Sequence, residues 1–488
     1  MRKVLVANRG SIALRAVRTC GDLDADAVAV FTPPDAGALH VRFASEAYPV
    51  ASYADGPALV ALARRSGCDA VYPGYGFLAE DAEFAGLCER EGLIFVGPDS
   101  EALRRAGDRM ATLAEVERAG FDTVRHSTRA FDPSELPVME QVAAALGYPV
   151  VVKSLRGGRG RGSRLAMRPG MLGSAVEAAA GEAQIVYGST PLYLEQAVLE
   201  GHQLGVQIVA DREGMMTTLG EHEGSVQRGN QKLVDESPAP SLSAERRKEL
   251  LERSLAIARL LRLSGVFTVE FLADADGHLL FTEVKPRLTR EHPVIELCSR
   301  ADLVAVQLRL AAGQRMAETP AEVPRRGVAI QARLIAEDPA RGYLPAPGRV
   351  ERLRLPGGPH VLVETHLVDG YDIPVVYDPA LAGIAAWGED RDEAVRRLRR
   401  ALEEFTLIGP PTNLPVLLRL VRDPAFGRGD YSLSLFNAAL SPTPPADEDE
   451  EALAIAAALA YVRRHLSFRQ VVPDRLRGGW HRESRRIP

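Results

Sequence analysis

Lysine is nearly missing from this chain. Of 59 basic residues among 488, five are lysine (Lys3, Lys153, Lys232, Lys248 and Lys285) and the rest are arginine. A lysine inside a polar motif here marks a place that wants a compact point charge rather than a planar fork. Cysteine is scarce too: Cys20, Cys68, Cys88 and Cys298 form no CxxC pair. That excludes a thiolate metal cage or a disulfide scaffold and points to a reducing cytoplasm. No apolar run approaches the ~20 residues of a membrane-spanning helix. The opening MRKVLVANRG is too short and too polar for a signal peptide and reads as a buried strand. The net charge of −6 is modest, so nothing global calls for nucleic acid or a membrane surface as partner.

What is present is the composition of a soluble globular protein, 46% hydrophobic and 25% charged, long enough for several domains. KVLVA, Asn8-Arg9-Gly10 and SIALRAVRTCGDL read as strand, tight loop and amphipathic helix. DAVAVF, DAVYPGY and GLIFVGP continue the alternation with helical stretches. This predicts an open, largely parallel α/β sheet up to about residue 105. A helix is expected over 106–122, strands at PLYLEQAV, LGVQIVAD and GMMTTLGEHE, and helices over 244–262 and 293–312. GVAIQARLIAED opens a later strand-rich part, and SPTPPADEDEE (441–451) reads as a linker before a further helix and a basic tail.

The charged run TEVKPRLTREHPV, 282–294, follows VFTVEFLADADGHLLF. Asp276-Gly277 predicts a two-residue hairpin turn. Centred there, it sets Glu270 directly across from Glu283, with Phe267, Val269, Phe271, Leu280 and Val284 on the opposite face. Two carboxylates ~5 Å apart repel, so a cation belongs between them. Mg²⁺ suits a carboxylate pair with phosphate oxygens. The ammonium of Lys285, two residues beyond Glu283 and on the same face, suits it as well. Upstream, Lys153 ends an apolar strand before Gly157, Gly158, Gly160 and Gly162, a loop whose bare backbone can approach phosphates. Lys232 lies in SVQRGNQKLVDESPAP, a polar run without apolar periodicity.

Taken in order, VLVANRGSIALRAVRTC, YPGYGFLAEDAEFA, FVGPDSEALRRAGDRMA, GYPVVVKS, VQRGNQKLVDESPAP, FTVEFLADADGHLLFTEVKPRL, REHPVIEL, RLIAEDP and LPAPGRV resemble the biotin carboxylase family of ATP-grasp enzymes over about residues 1–440. The resemblance implies a Rossmann-like N-terminal domain (1–108) and an ATP-grasp domain (109–330, lid about 124–197). A C-terminal biotin carboxylase domain (331–440) and a tail (441–488) follow. It implies the chemistry of such an enzyme: ATP phosphorylates bicarbonate to carboxyphosphate, whose CO₂ is captured by biotin on a separate carrier protein. Glu270 and Glu283 then match holders of Mg²⁺ or Mn²⁺. Arg109, Lys153, Gly157, Gly158, Glu195, Val198, Gln227, Asn230 and Leu272 match the ATP site. Lys232, Arg287, Thr289 and Arg290 stand at bicarbonate positions. Glu291 matches the general base, Arg333 the stabiliser of the biotin enolate, and Tyr75 a neighbour of the biotin ring. Arg15, Arg18 and Asp22 fall on the helix of a homodimer contact. No MKM biotinylation site occurs, so carrier and carboxyltransferase are expected on other chains, as in acetyl-CoA carboxylase and fatty acid biosynthesis.

The departures gather at the site. Lys285 replaces an asparagine beside the metals, Thr289 and Arg290 a glutamine and a valine, Asn230 a histidine, Arg109 a lysine and Gly383 a lysine. Leu155, Arg156 and Arg159 occupy a loop where small residues are usual. An ion-pair network of Lys285 and Arg290 with Glu283 and Glu291 would keep the fold without the chemistry. The departures therefore leave two other readings open: a degenerate regulatory or scaffold subunit, and an ATP-grasp ligase acting on another carboxylic acid.

Overall fold

The computed structural model describes residues 1–155, 162–188, 191–316, 323, 325–436, 454–459 and 461. Two units separate at Ser441/Pro442. In the second, residues 454–459 are helical; the basic tail lies outside the described residues. The loop glycines Gly157 and Gly158, with Arg156 and Arg159, also lie outside them.

The first unit opens with a five-stranded sheet in the order Glu46–Pro49, Asp26–Phe31, Lys3–Val6, Ala70–Tyr72, Ile94–Phe95. Every pairing is parallel, as the alternation of apolar runs and helices predicts. The chain reverses winding direction between Lys3–Val6 and Ala70–Tyr72. At such a switch point the loops leaving two strands diverge and open a crevice. Asn8 spans that crevice, its Nδ2 donating to the carbonyls of Pro73 at 2.6 Å and Tyr75 at 2.8 Å.

The larger sheet has eight strands, all antiparallel. Their order is Leu279–Lys285, Gly265–Asp274, Gly201–Ala210, Met216–Glu223, Val234–Ser237, Val328–Ile335, Ala380–Gly388, Val361–Thr365. Residue 330 lies inside a middle strand, so the parts on either side of it share one sheet. A separate three-stranded sheet, Ser163–Ala166, Val150–Ser154 and Leu192–Gln196, carries Lys153 and Glu195.

Three local expectations are corrected. The segment 106–122 holds the end of one helix, Ser100–Gly107, and a second, Arg109–Arg118. Asp108 divides them by capping the second, accepting from the Ala111 amide at 3.0 Å. Likewise 293–312 is two helices, His292–Ser299 and Leu303–Ala311, parted where Arg300 turns left-handed (φ 60°) and Asp302 caps the next. The hairpin turn has three residues, 275–277, closed by the Gly277 amide on the Asp274 carbonyl at 2.9 Å. A bulge between Glu270 and Phe271 then shifts the register back. Glu270 still faces Glu283, but Leu279 and Phe281 fill the core where Leu280 was expected.

Candidate active site

Alternation along the hairpin strand Gly265–Asp274 buries Phe267, Val269 and Phe271 on one face and sends Glu270 to the other. There Glu270 is fully buried, and three N–H donors surround it. Lys285 Nζ reaches its Oε1 at 2.8 Å, while Gln203 Nε2 (3.0 Å) and Lys232 Nζ (3.5 Å) reach its Oε2. Burial alone would raise its pKa, but Lys232 and Lys285 bring it down to about 2. Across the strand pair, Glu283 Oε2 accepts from Arg109 Nη2 at 2.5 Å, and its Oε1 lies 3.9 Å from Lys285 Nζ. Burial opposes that charge too, and Arg109 and Lys285 lower the pKa.

From this pair a line of alternating charges runs both ways. Arg109 meets the Tyr193 hydroxyl, which donates to Glu195 at 2.8 Å; Glu195 in turn pairs with Lys153. In the other direction Lys232 Nζ lies 2.8 Å from Glu291 Oε1, and Arg333 Nη2 lies 3.0 Å from the same oxygen. Arg333 is itself gripped bidentately by buried Asp235 at 2.7 and 2.9 Å. Burial pushes Glu291 up, but Lys232, Arg333 and Lys285 hold it well below the usual carboxylate range. Glu291 stands at the N-cap of His292–Ser299, where the positive end of the helix also favours an anion.

Beyond Arg333 lies a cavity of about 330 Å³ at the switch-point crevice, lined among others by Tyr75, Arg290, Arg333, His366, Asp378 and Gly383. Arg290 spans it, 3.1 Å from Asp378 and 5.5 Å from the centroid of the Tyr75 ring. Thus the Arg290–Glu291 ion pair of the non-catalytic alternative does not form: Lys232 and Arg333 take that carboxylate, and Arg290 takes Asp378. Arg287 is held by Glu80 at 2.5 Å, and Thr289 is buried beside Arg290 in sequence.

The sites expected for the nucleotide are more dispersed. Gln227 donates to Gln203 at 3.0 Å, one contact away from Glu270. Leu272 is half-buried on the hairpin, Val198 half-buried in the loop after Leu192–Gln196, and Asn230 exposed in the turn before Lys232. On the helix Gly10–Asp22, Arg18 and Asp22 are exposed. Arg15 points inward instead, to Glu296 and Asp302 at 3.0 Å and Glu364 at 3.2 Å.

The sequence reading missed His222. It is fully buried, and neither ring nitrogen has a hydrogen-bond partner among the described residues; the same holds for the Thr289 hydroxyl. A ring nitrogen of His222 and carboxylate oxygens of Glu270 and Glu291 lie within 4.8 Å of one another. Burial, and then Lys232, keep the imidazole neutral by lowering its pKa. The available signal was Gly205, a glycine inside a strand. It pairs with both His222 and Glu270, and a Cβ there would come 2.4 Å from the ring.

Three family models match the chain in succession. They are the biotin carboxylase N-terminal domain at residues 1–103, the carbamoyl-phosphate synthase L chain ATP-binding domain at 108–319, and the biotin carboxylase C-terminal domain at 331–438. A biotin carboxylase of Nostoc sp. is 37% identical over 438 residues, 88% of this chain and 98% of that one. The chain belongs to the biotin carboxylase family.

Another relative is the mitochondrial methylcrotonoyl-CoA carboxylase subunit alpha of Dictyostelium discoideum. It is 37% identical over 93% of this chain and 66% of its own length. Among solved structures, the biotin carboxylase domain dimer of Hydrogenobacter thermophilus 2-oxoglutarate carboxylase, in complex with MgADP, ADP and bicarbonate, superposes with a TM-score of 0.86. It is 35% identical and covers 90% of this chain and 97% of that one. A Campylobacter jejuni biotin carboxylase in complex with β-γ-ATP gives 0.84 at 31% identity, covering 90% of this chain and 98% of that one. The fold is therefore that of an ATP-grasp biotin carboxylase. No helix among the described residues is long and apolar enough to cross a membrane.

The donor set fits a divalent ion at one position. Among the described residues Glu283 Oε1 has only a distant cation at 3.9 Å, and carboxylate oxygens of this kind accept hard divalent ions beside phosphate. Glu270 has both oxygens engaged by N–H donors.

Proposed function

We propose that this protein is a biotin carboxylase subunit. It uses ATP and Mg²⁺ to join bicarbonate to biotin carried on a separate chain, in the cytoplasm, as a homodimer serving a separate carboxyltransferase. The observation that supports this most is Glu291, held between Lys232 and Arg333 where the charged line meets the cavity.

Glu291 is ionised at neutral pH and able to accept a proton. In the resting arrangement Lys232 and Arg333 make it a weak base. A bicarbonate anion bound to those two cations draws their charge away, and Glu291 becomes more basic when its substrate arrives. The bicarbonate O–H proton passes to Glu291 Oε, and the freed oxygen attacks the γ-phosphorus as ADP leaves. Lys153 and Arg109 are the chain's cations for the phosphates, once Glu195 and Glu283 share them. Magnesium, when bound, would be held by Glu283 with the nucleotide and would neutralise phosphoryl charge. On the cavity side Arg333 presents N–H groups to the biotin ureido oxygen, where negative charge develops.

ATP hydrolysis by the whole chain with Mg²⁺ tests this. Turnover should require bicarbonate and rise with free biotin, and Glu291→Gln should lower kcat about 10²-fold or more. Turnover indifferent to bicarbonate contradicts the proposal.

A further inference from the structure

The two opposed carboxylates already have a cation between them. Lys285 is the register partner of Thr268, two residues beyond Glu283, so backbone geometry brings its ammonium over the pair. It lies 2.8 Å from Glu270 Oε1 and 3.9 Å from Glu283 Oε1. Neither carboxylate is short of a partner: the Lys232 ammonium and the neutral Gln203 amide serve the other oxygen of Glu270, and Arg109 serves the other oxygen of Glu283. An ion bridging Glu270 and Glu283 would have to share Glu270 Oε1 with the ammonium, within about 4 Å of a like charge in a poorly solvated site. An ion on Glu283 Oε1 alone leaves Glu270 Oε1 to the ammonium and has only the repulsion across the 3.9 Å gap to meet. In a chain with five lysines, the residue held half-buried at this point is a lysine and not the arginine used elsewhere. A guanidinium is wider and could not sit over the pair as a point charge.

We propose that Lys285 is a resident cation that takes the place of a divalent ion bridging Glu270 and Glu283. The site then binds one divalent ion, on Glu283, for each nucleotide. This rests on the ATP-dependent reading above and deepens it. The second positive charge on the polyphosphate is supplied by the protein, so free divalent ion beyond that complexed with ATP finds no place on the Glu270–Glu283 pair.

The test counts ions rather than turnover. The full chain is titrated with Mn²⁺ in the presence of the non-hydrolysable analogue AMP-PNP. Bound Mn²⁺ is read by electron paramagnetic resonance and bound nucleotide separately by equilibrium dialysis. One Mn²⁺ per bound AMP-PNP is expected for the unaltered chain, and two for Lys285→Asn, which restores an oxygen donor and removes the charge. Two ions in the unaltered chain overturn the proposal, and so does a count that stays at one in Lys285→Asn. Absence of bound AMP-PNP sinks the ATP-dependent reading itself, and the dialysis shows that result apart from the ion count.

Discussion

At the scale of single residues, the site is a set of charges that neutralise one another until substrate intervenes. Arg333 shows the cost of breaking one link. Its guanidinium is the bidentate partner of Asp235, which is fully buried. Arg333→Ala strands that carboxylate, and denaturant unfolding should show a loss of about 3 kcal/mol or more. Arg333→Lys, with a point charge in place of the fork, should recover part of it. Part of the site was legible at this scale: the hairpin pattern sets the two glutamates opposite each other and the scarcity of lysine marks Lys153 and Lys232, whereas Glu291 came only from the family resemblance. The partners of these residues were not legible. Arg287 is held by Glu80, 207 positions away, and Arg333 by Asp235, 98 away. Nothing local in the chain specifies such long-range pairings, nor that Arg290 meets Asp378.

Among the elements, the hairpin shows how a right answer can rest on a wrong turn. A two-residue turn and a regular ladder give the same Glu270–Glu283 pairing as a three-residue turn with one bulge. Only the facing of Leu279, Leu280 and Phe281 distinguishes them, and all three are apolar. The neighbouring strand carries its own constraint at Gly205, where a methyl group would meet His222 at 2.4 Å and Thr268 at 3.1 Å. Gly205→Ala should therefore destabilise by about 1–3 kcal/mol, read as a lowered Tm.

The helix His292–Ser299 adds a pH dependence. His292 is buried; burial opposes its charge, but Glu364, then Glu296, outweigh both burial and Arg15 and raise its pKa from 6.5 to about 9. A group with a raised folded pKa stabilises fully below its unfolded value, and that contribution is lost as pH climbs through the folded one. The stake is on the order of 3 kcal/mol. The apparent Tm should fall between pH 6.5 and 9, and His292→Gln should flatten that fall. An identical slope in both proteins would remove His292 from the account.

On the scale of the whole molecule, one eight-stranded sheet carries Glu270 and Glu283 near one edge and Arg333 farther across it, so the middle of the charged line and its Arg333 end rest on one rigid support, while the Lys153 end rests on the three-stranded sheet. The alternation of strands and helices made the first sheet readable from sequence. The continuity of the second was not, because antiparallel neighbours are chosen by tertiary packing rather than by local pattern. Of the helix expected at a dimer contact, Arg18 and Asp22 are exposed while Arg15 is spent inside the chain. Arg18→Glu should convert a dimer to monomer in light scattering, whereas Arg15→Glu should lower Tm through Glu296 and Glu364.

Whether this site phosphorylates bicarbonate is decided by following oxygen. With ¹⁸O-labelled bicarbonate, ATP, Mg²⁺ and biotin, the oxygen that attacks phosphorus stays with phosphate when carboxyphosphate breaks down. One labelled oxygen should appear in the inorganic phosphate released per turnover. Phosphate carrying oxygen from water instead would contradict phosphorylation of bicarbonate.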